Sequence, residues 1–178
     1  MTSPLTVDPA DLETTARQIL DLAAQVLLDA GLNPPDEASR YLAHGPAIAF
    51  PGRETLSVSV LRAATGTAGA EVRTAPRCFA PTTITCQVVL WRCVPAVDGD
   101  GLAEPAARDA SAAALLADGW ALLRAFQAST GSRGALGTMS AAGPLEAIGA
   151  SGGMAGWRLT VTVPPVTTVP AAPDGNGG

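Results

Sequence analysis

The sequence predicts an α+β fold, a mostly antiparallel sheet of about four strands with two helices packed on one face. Three observations carry this expectation. A long alternating run from Thr82 to Val94, and a second one from Gly152 to Val163 introduced by glycines, have the two-residue period of strands. An Ala- and Leu-rich stretch between them has helical texture. An N-terminal stretch repeats its apolar residues at three- and four-residue steps, so helices and strands must share one core.

The first helix opens at Asp8–Pro9: a carboxylate can accept from unpaired N–H groups at a helix start, and proline suits the first helical position. Gly31, followed by Pro34 and Pro35, closes it. Between them Leu12, Ala16, Ile19, Leu20, Ala23, Leu27 and Ala30 form one apolar stripe. Ser39 to His44 reads as a short strand with Tyr41 and Ala43 on one face, two helical turns being the alternative. From Thr55 to Leu61 the alternation sets Leu56, Val58 and Val60 against the core and Thr55, Ser57 and Ser59 toward solvent. Residues 63–81, rich in Ala, Gly and Thr with Pro76 and Pro81, read as a long excursion.

On the long strand, Ile84, Cys86, Val88 and Leu90 face one way, and Thr83, Thr85, Gln87, Val89, Trp91 and Cys93 the other. The second helix runs from near Pro105 to about Ala128. Its apolar residues Leu115, Leu116, Trp120, Leu122, Leu123 and Phe126 spread wider than one stripe, so it is expected to touch both the sheet and something else, such as a neighbouring subunit. Trp120, four residues after Leu116 and three before Leu123, reads as the anchor on the sheet. Residues 131–153 read as loop with a short strand at Leu145 to Ile148. In the final strand Trp157, Leu159, Val161 and Val163 face the core and Arg158, Thr160 and Thr162 point outward, with Gly152 and Gly153 supplying positive φ or a bulge before it. One domain over residues 1–163 and a disordered Pro/Thr/Gly-rich tail over 164–178 complete the expected organisation.

Composition narrows the function classes. The 178 residues carry a net charge of -5, and every one of the 11 basic residues is Arg, spread singly. A protein that grips nucleic acid needs clustered basic residues, so that class is disfavoured. The absence of Lys, with abundant Ala and Gly, points to a GC-rich coding genome. Cys86 and Cys93 lie an odd number of positions apart on one strand, on opposite faces, and cannot bridge; both read as buried small hydrophobes in a reduced compartment. The start MTSPLTVDPADLE has no basic-then-apolar signal pattern, and no apolar run nears the ~20 residues of a membrane span, so a soluble, unprocessed chain without membrane contact is expected.

No catalytic, metal or cofactor-binding residue is assigned, and no enzyme is expected. His44 is the lone histidine and reads as a loop residue. Asp98 and Asp100 lack the remaining ligands of a calcium loop and read as a solvated turn. The glycines at 149, 152, 153 and 156 precede a strand, whereas a phosphate loop follows one and opens a helix. Trp91, Trp120 and Trp157 each read as core. Arg92 and Arg158, each beside a tryptophan near the sheet's edge, are candidates to pair across a subunit boundary, the alternative being solvated charges. With Glu54, Gly152 and Gly153 they make up the candidate subunit or partner interface.

Four segments carry a resemblance to a known family: LNPP followed by RYLAHG, the strand TITCQVVLWRCVP, the helix around ALLADGWALL, and the closing GPLEAIGASGGMAGWRLTVTV. Together they resemble the tail terminator proteins of long-tailed, siphovirus-type bacteriophages of high-GC, actinobacterial hosts. The resemblance covers roughly Asp8 to Val163, is most specific in WRCVP and GGMAGWRLTVTV, and contains no active-site signature. It implies a homohexameric ring that caps the finished tail tube, stops its polymerisation and joins the tail to the head-completion (stopper) protein. Genomic DNA would pass through the channel unbound, and the protein would reside in the virion's tail and neck after assembly in the host cytoplasm. The alternatives are another neck or tail component, either a stopper built as a small β-barrel or a tube protein that stacks into open-ended tubes, or a small enzyme. The excursions at 63–81 and 131–153 are generous for such a domain.

Overall fold

The computed structural model describes residues 9–43, 45, 52–65, 82–95, 104–129, 136 and 141–164. Asp8, His44, residues 66–81 of the expected excursion, the Asp98–Asp100 turn and the tail from residue 165 onward lie outside the described residues, and with them the expectations placed there.

Helix α1 spans Pro9–Asp29 and helix α2 Pro105–Ser129; the strands are β1 Arg40–Ala43, β2 Thr55–Thr65, β3 Thr82–Cys93, β4 Ala141–Ser151 and β5 Met154–Val163. They form one sheet in the order β1-β2-β3-β5-β4, with β1 parallel to β2 and every other pair antiparallel. The α+β class and the helix-covered face are therefore as the sequence predicts, with five strands rather than four among the described residues.

Most of the α1 stripe is buried: Ala16, Ile19, Leu20, Ala23 and Leu27 belong to the core, Leu12 is half-buried against it, and Ala30, past the last helical residue, is exposed. Its end is a Schellman motif, in which Leu32 N–H donates to Leu27 O and Gly31 N–H to Leu28 O, with Gly31 at φ 71°. Under the helices lie Leu56 and Val58 of β2, Ile84, Cys86, Val88 and Leu90 of β3, and Leu159, Val161 and Val163 of β5. α1 covers the β1-β2-β3 side and α2 the β5-β4 side.

Several expectations need correction. Within 131–153, the short strand expected at Leu145 to Ile148 is part of a longer one, β4, an Ala- and Gly-rich strand of eleven residues with little intrinsic β preference. It is a strand because β5 offers it a ladder, and Pro144, which lacks an N–H, is tolerated on this edge beside a register shift between Ala142 and Leu145. β2 runs on to Thr65, past the expected end at Leu61, through a shift between Val60 and Arg62. Thr55, Ser57 and Ser59 do not face open solvent: they are 2%, 7% and 4% exposed. Their small side chains stand directly across the ladder from Trp91, Val89 and Gln87, which shade them. Cys86 is buried as expected but Cys93 is exposed, because it ends its strand.

The largest correction is on α2. Trp120 is 60% exposed and is not the anchor; the buried positions are Asp118, Gly119, Leu122 and Phe126. The helix meets the sheet at Gly119, where an added Cβ would stand 2.6 Å from Cε2 of Trp157. Trp157 lies flat against that glycine and donates from Nε1 to Leu115 O at 2.6 Å. With residue 119 facing the sheet, residue 120 is turned about 100° away around the helix.

Candidate subunit-contact surfaces

Arg92 lies on β3 one pair beyond the core residue Leu90, on the side covered by α2. Its guanidinium donates from Nε to Asp118 Oδ2 at 2.8 Å and from Nη2 to Asp118 Oδ1 at 2.9 Å, a bidentate pair. The third contact is Nη1 to Glu54 Oε2 at 3.0 Å, and the other Glu54 oxygen accepts from Cys93 N–H at 3.3 Å. The Arg92 and Asp118 side chains are 13% and 4% exposed, while Glu54 is 41% exposed. Burial alone would lower the Arg92 pKa, but the hydrogen bonds and charge of Asp118, and then of Glu54, outweigh it and raise the pKa above its ordinary value.

The cluster forms one wall of a pocket of about 420 Å³ between the end of α1 at Gly31 and Leu32, the end of β3 and the first half of α2. Chemically it is a clamp. One cation is matched to two carboxylates, which take three of its five N–H groups. Arg92 is thus not a solvated charge: it ties β3, the residue preceding β2, and α2 together inside one chain.

Arg158 is on the opposite face of the sheet, where its Nε donates to Glu146 Oε2 at 2.7 Å and its Nη2 also contacts that oxygen. The pair links β5 to β4 and is well exposed. Gly152 and Gly153, at φ 56° and 76°, are the two central residues of the β4–β5 hairpin, closed by the Ser151–Met154 pair. Positive φ at both positions is the requirement of a type I′ turn, so they form a hairpin turn and not a bulge. Gly153 O also accepts from Val94 N–H at 2.9 Å, which brings the turn to the same end of the sheet as Arg92 and Glu54. Four of the five candidate residues therefore gather at one end, and Arg158 stands apart.

Sequence reasoning missed Asp118 and Glu146 as partners. Asp118 had a signal, since a lone carboxylate in the apolar run ALLADGWALL has to be satisfied if its face is buried. Among the described residues no three His, Cys, Asp or Glu side chains group as metal ligands would. No helix among them is long and apolar enough to cross a membrane.

Outward from this core, α2 displays Leu116 and Trp120, 63% and 60% exposed. The Arg124 guanidinium lies over the Trp120 ring, 5.8 Å from its centroid. On the outer side of α1, Gln18, Asp21, Leu22, Gln25 and Leu136 line a second pocket, of about 340 Å³. Compared with known proteins, the chain matches no family model and no curated sequence.

Proposed function

We propose that this chain is a structural assembly subunit of the tail-terminator type: it closes into a ring on a phage tail tube, stops the tube's growth and presents the docking surface for the head-completion protein. The observation that carries the reading is the outer face of α2. Two large apolar side chains one helical turn apart, Leu116 and Trp120, are more than half exposed in the single chain, on a helix that is apolar nearly all round between Ala112 and Leu123. Helices of that kind are normally covered on both sides, and the sheet covers only one.

The resemblance of WRCVP and GGMAGWRLTVTV to terminator proteins supplies the specific class. The net charge of -5 supports a channel through which DNA slides without being held. An open sheet whose edges are β1 and β4 is unlike the small barrel expected of a stopper.

Electron microscopy of the purified protein, alone and with a tail tube protein, tests the proposal. Closed single rings, capping tube ends when tubes are present, are the expected result. Open-ended stacks point to a tube protein, and particles that stay monomeric in both samples overturn the reading.

A further inference from the structure

We infer that Trp120 and Arg124 of one copy dock into the pocket beside α1 of the next copy, with Arg124 meeting Asp21, in a head-to-tail contact. Ring closure by this contact rests on the function proposed above; the contact itself rests on geometry and charge.

The donating surface is a single stripe of α2. Ala113, Leu116, Ala117, Trp120 and Arg124 recur at three- and four-residue steps, and all five are exposed. The alanines leave room for close approach, while the indole is the tall feature. Trp and Arg are the side chains most enriched at the energetic centres of protein interfaces. Arg124 has no carboxylate partner among the described residues, whereas Arg17, Arg92 and Arg158 each have one.

The accepting surface has the complementary character. Its pocket of about 340 Å³ is roomy enough for an indole, with Leu22 and Leu136 as apolar walls and the amides of Gln18 and Gln25 at its edge. Asp21 stands exposed on its lining, without a salt-bridge partner among the described residues. An apolar hole with one unmatched anion fits an apolar knob with one unmatched cation.

Trp120 does not line this pocket within its own chain. The two surfaces are different patches of one molecule; when each meets a different neighbour the contact is heterologous, and its repetition generates a ring when the rotation closes. Mutual docking of the two patches within one pair would instead stop at a two-fold dimer, so growth past two copies is what marks the head-to-tail arrangement.

Sedimentation velocity over a concentration series tests the contact. Trp120→Ala and Asp21→Arg are both surface changes and should leave circular dichroism and melting temperature near wild type. Each should weaken self-association by roughly tenfold or more, the scale of an interface hot spot. The decisive sample is the mixture of the two variants. The Asp21→Arg chain keeps an intact Trp120 patch and the Trp120→Ala chain keeps an intact pocket, so the mixture should form a one-to-one heterodimer and nothing larger.

Unweakened association of either single variant, no heterodimer in the mixture, or a wild type that stays monomeric at every concentration overturns the contact. Rings that still form with Trp120→Ala overturn the contact while sparing the terminator reading. Head-to-tail pairing that never caps a tube does the reverse.

Discussion

Arg92 and Asp118, 26 residues apart in the chain, close a bidentate ion pair with donor–acceptor distances of 2.8 and 2.9 Å, and Asp118 is 4% exposed in the middle of α2. Removing Arg92 strands the Asp118 charge out of water, whereas removing Asp118 still leaves Arg92 its contact with Glu54. Arg92→Ala should therefore lower the unfolding free energy by about 3–5 kcal/mol, the usual cost of breaking a buried pair. Replacing both residues, Arg92→Met with Asp118→Leu, should recover most of the loss. Urea unfolding of the single and double variants measures the difference, and equal losses in both would show that the charge pairing is not what matters.

Arg158 offers the contrast. Its pair with Glu146 is exposed on both sides, and exposed pairs contribute about 0–1 kcal/mol. Arg158→Glu should leave the midpoint of urea unfolding nearly unchanged, whereas Arg92→Glu should fail to fold or unfold at far lower urea. Similar midpoints for the two reversals would contradict the difference in burial.

Gly119→Ala should destabilise the protein although alanine is the better helix former. The propensity gain of about 1 kcal/mol is opposed by a Cβ placed 2.6 Å from the Trp157 ring, an overpacking that typically costs about 1–3 kcal/mol. Thermal unfolding should show a net loss. Combining it with Trp157→Leu should erase the penalty specific to Gly119→Ala, because the obstructing ring is gone.

The hairpin turn should tolerate Gly152→Asn with little loss, since Asn-Gly suits a type I′ turn. Gly153→Val should cost about 1–2 kcal/mol, the penalty of holding a side chain in the left-handed region. Denaturant melts of the two variants that coincide would mean the turn is not held at positive φ.

Burial pushes the Cys86 thiol up from an ordinary value of 9.0 to about 12. A raised folded-state pKa means the neutral thiol is the form the fold accepts. Its contribution is intact below about 9 and is lost as pH rises from about 9 through about 12, where the unfolded chain ionises first. Stability should fall over that window, and less so in Cys86→Val. In native protein a thiol reagent at neutral pH should modify the exposed Cys93 and spare Cys86; rapid loss of the Cys86 thiol would show that its strand opens.

Much of the fold is written in local signals. Pro9, Gly31 and Pro105 bracket helices because their backbone preferences act within a few residues, and the alternation on β3 and β5 assigns faces that the ladder then reproduces. The Gly152–Gly153 pair marks its turn for the same reason. The sequence therefore determined the two helices, the inward faces of α1, β3 and β5, and the α+β class. Only the tertiary structure decided that the short strand at Leu145 to Ile148 extends over Ala- and Gly-rich 141–151, since its neighbour's hydrogen bonds, and not its own propensity, carry it that far. It also decided that α2 turns Gly119 rather than Trp120 to the sheet, because the fit of a glycine over the Trp157 ring outweighs the larger residue's hydrophobicity. And it decided that Arg92 is locked inside the chain: a guanidinium finds whatever carboxylate the fold brings within 3 Å, and Asp118 and Glu54 reach it from 26 and 38 residues away.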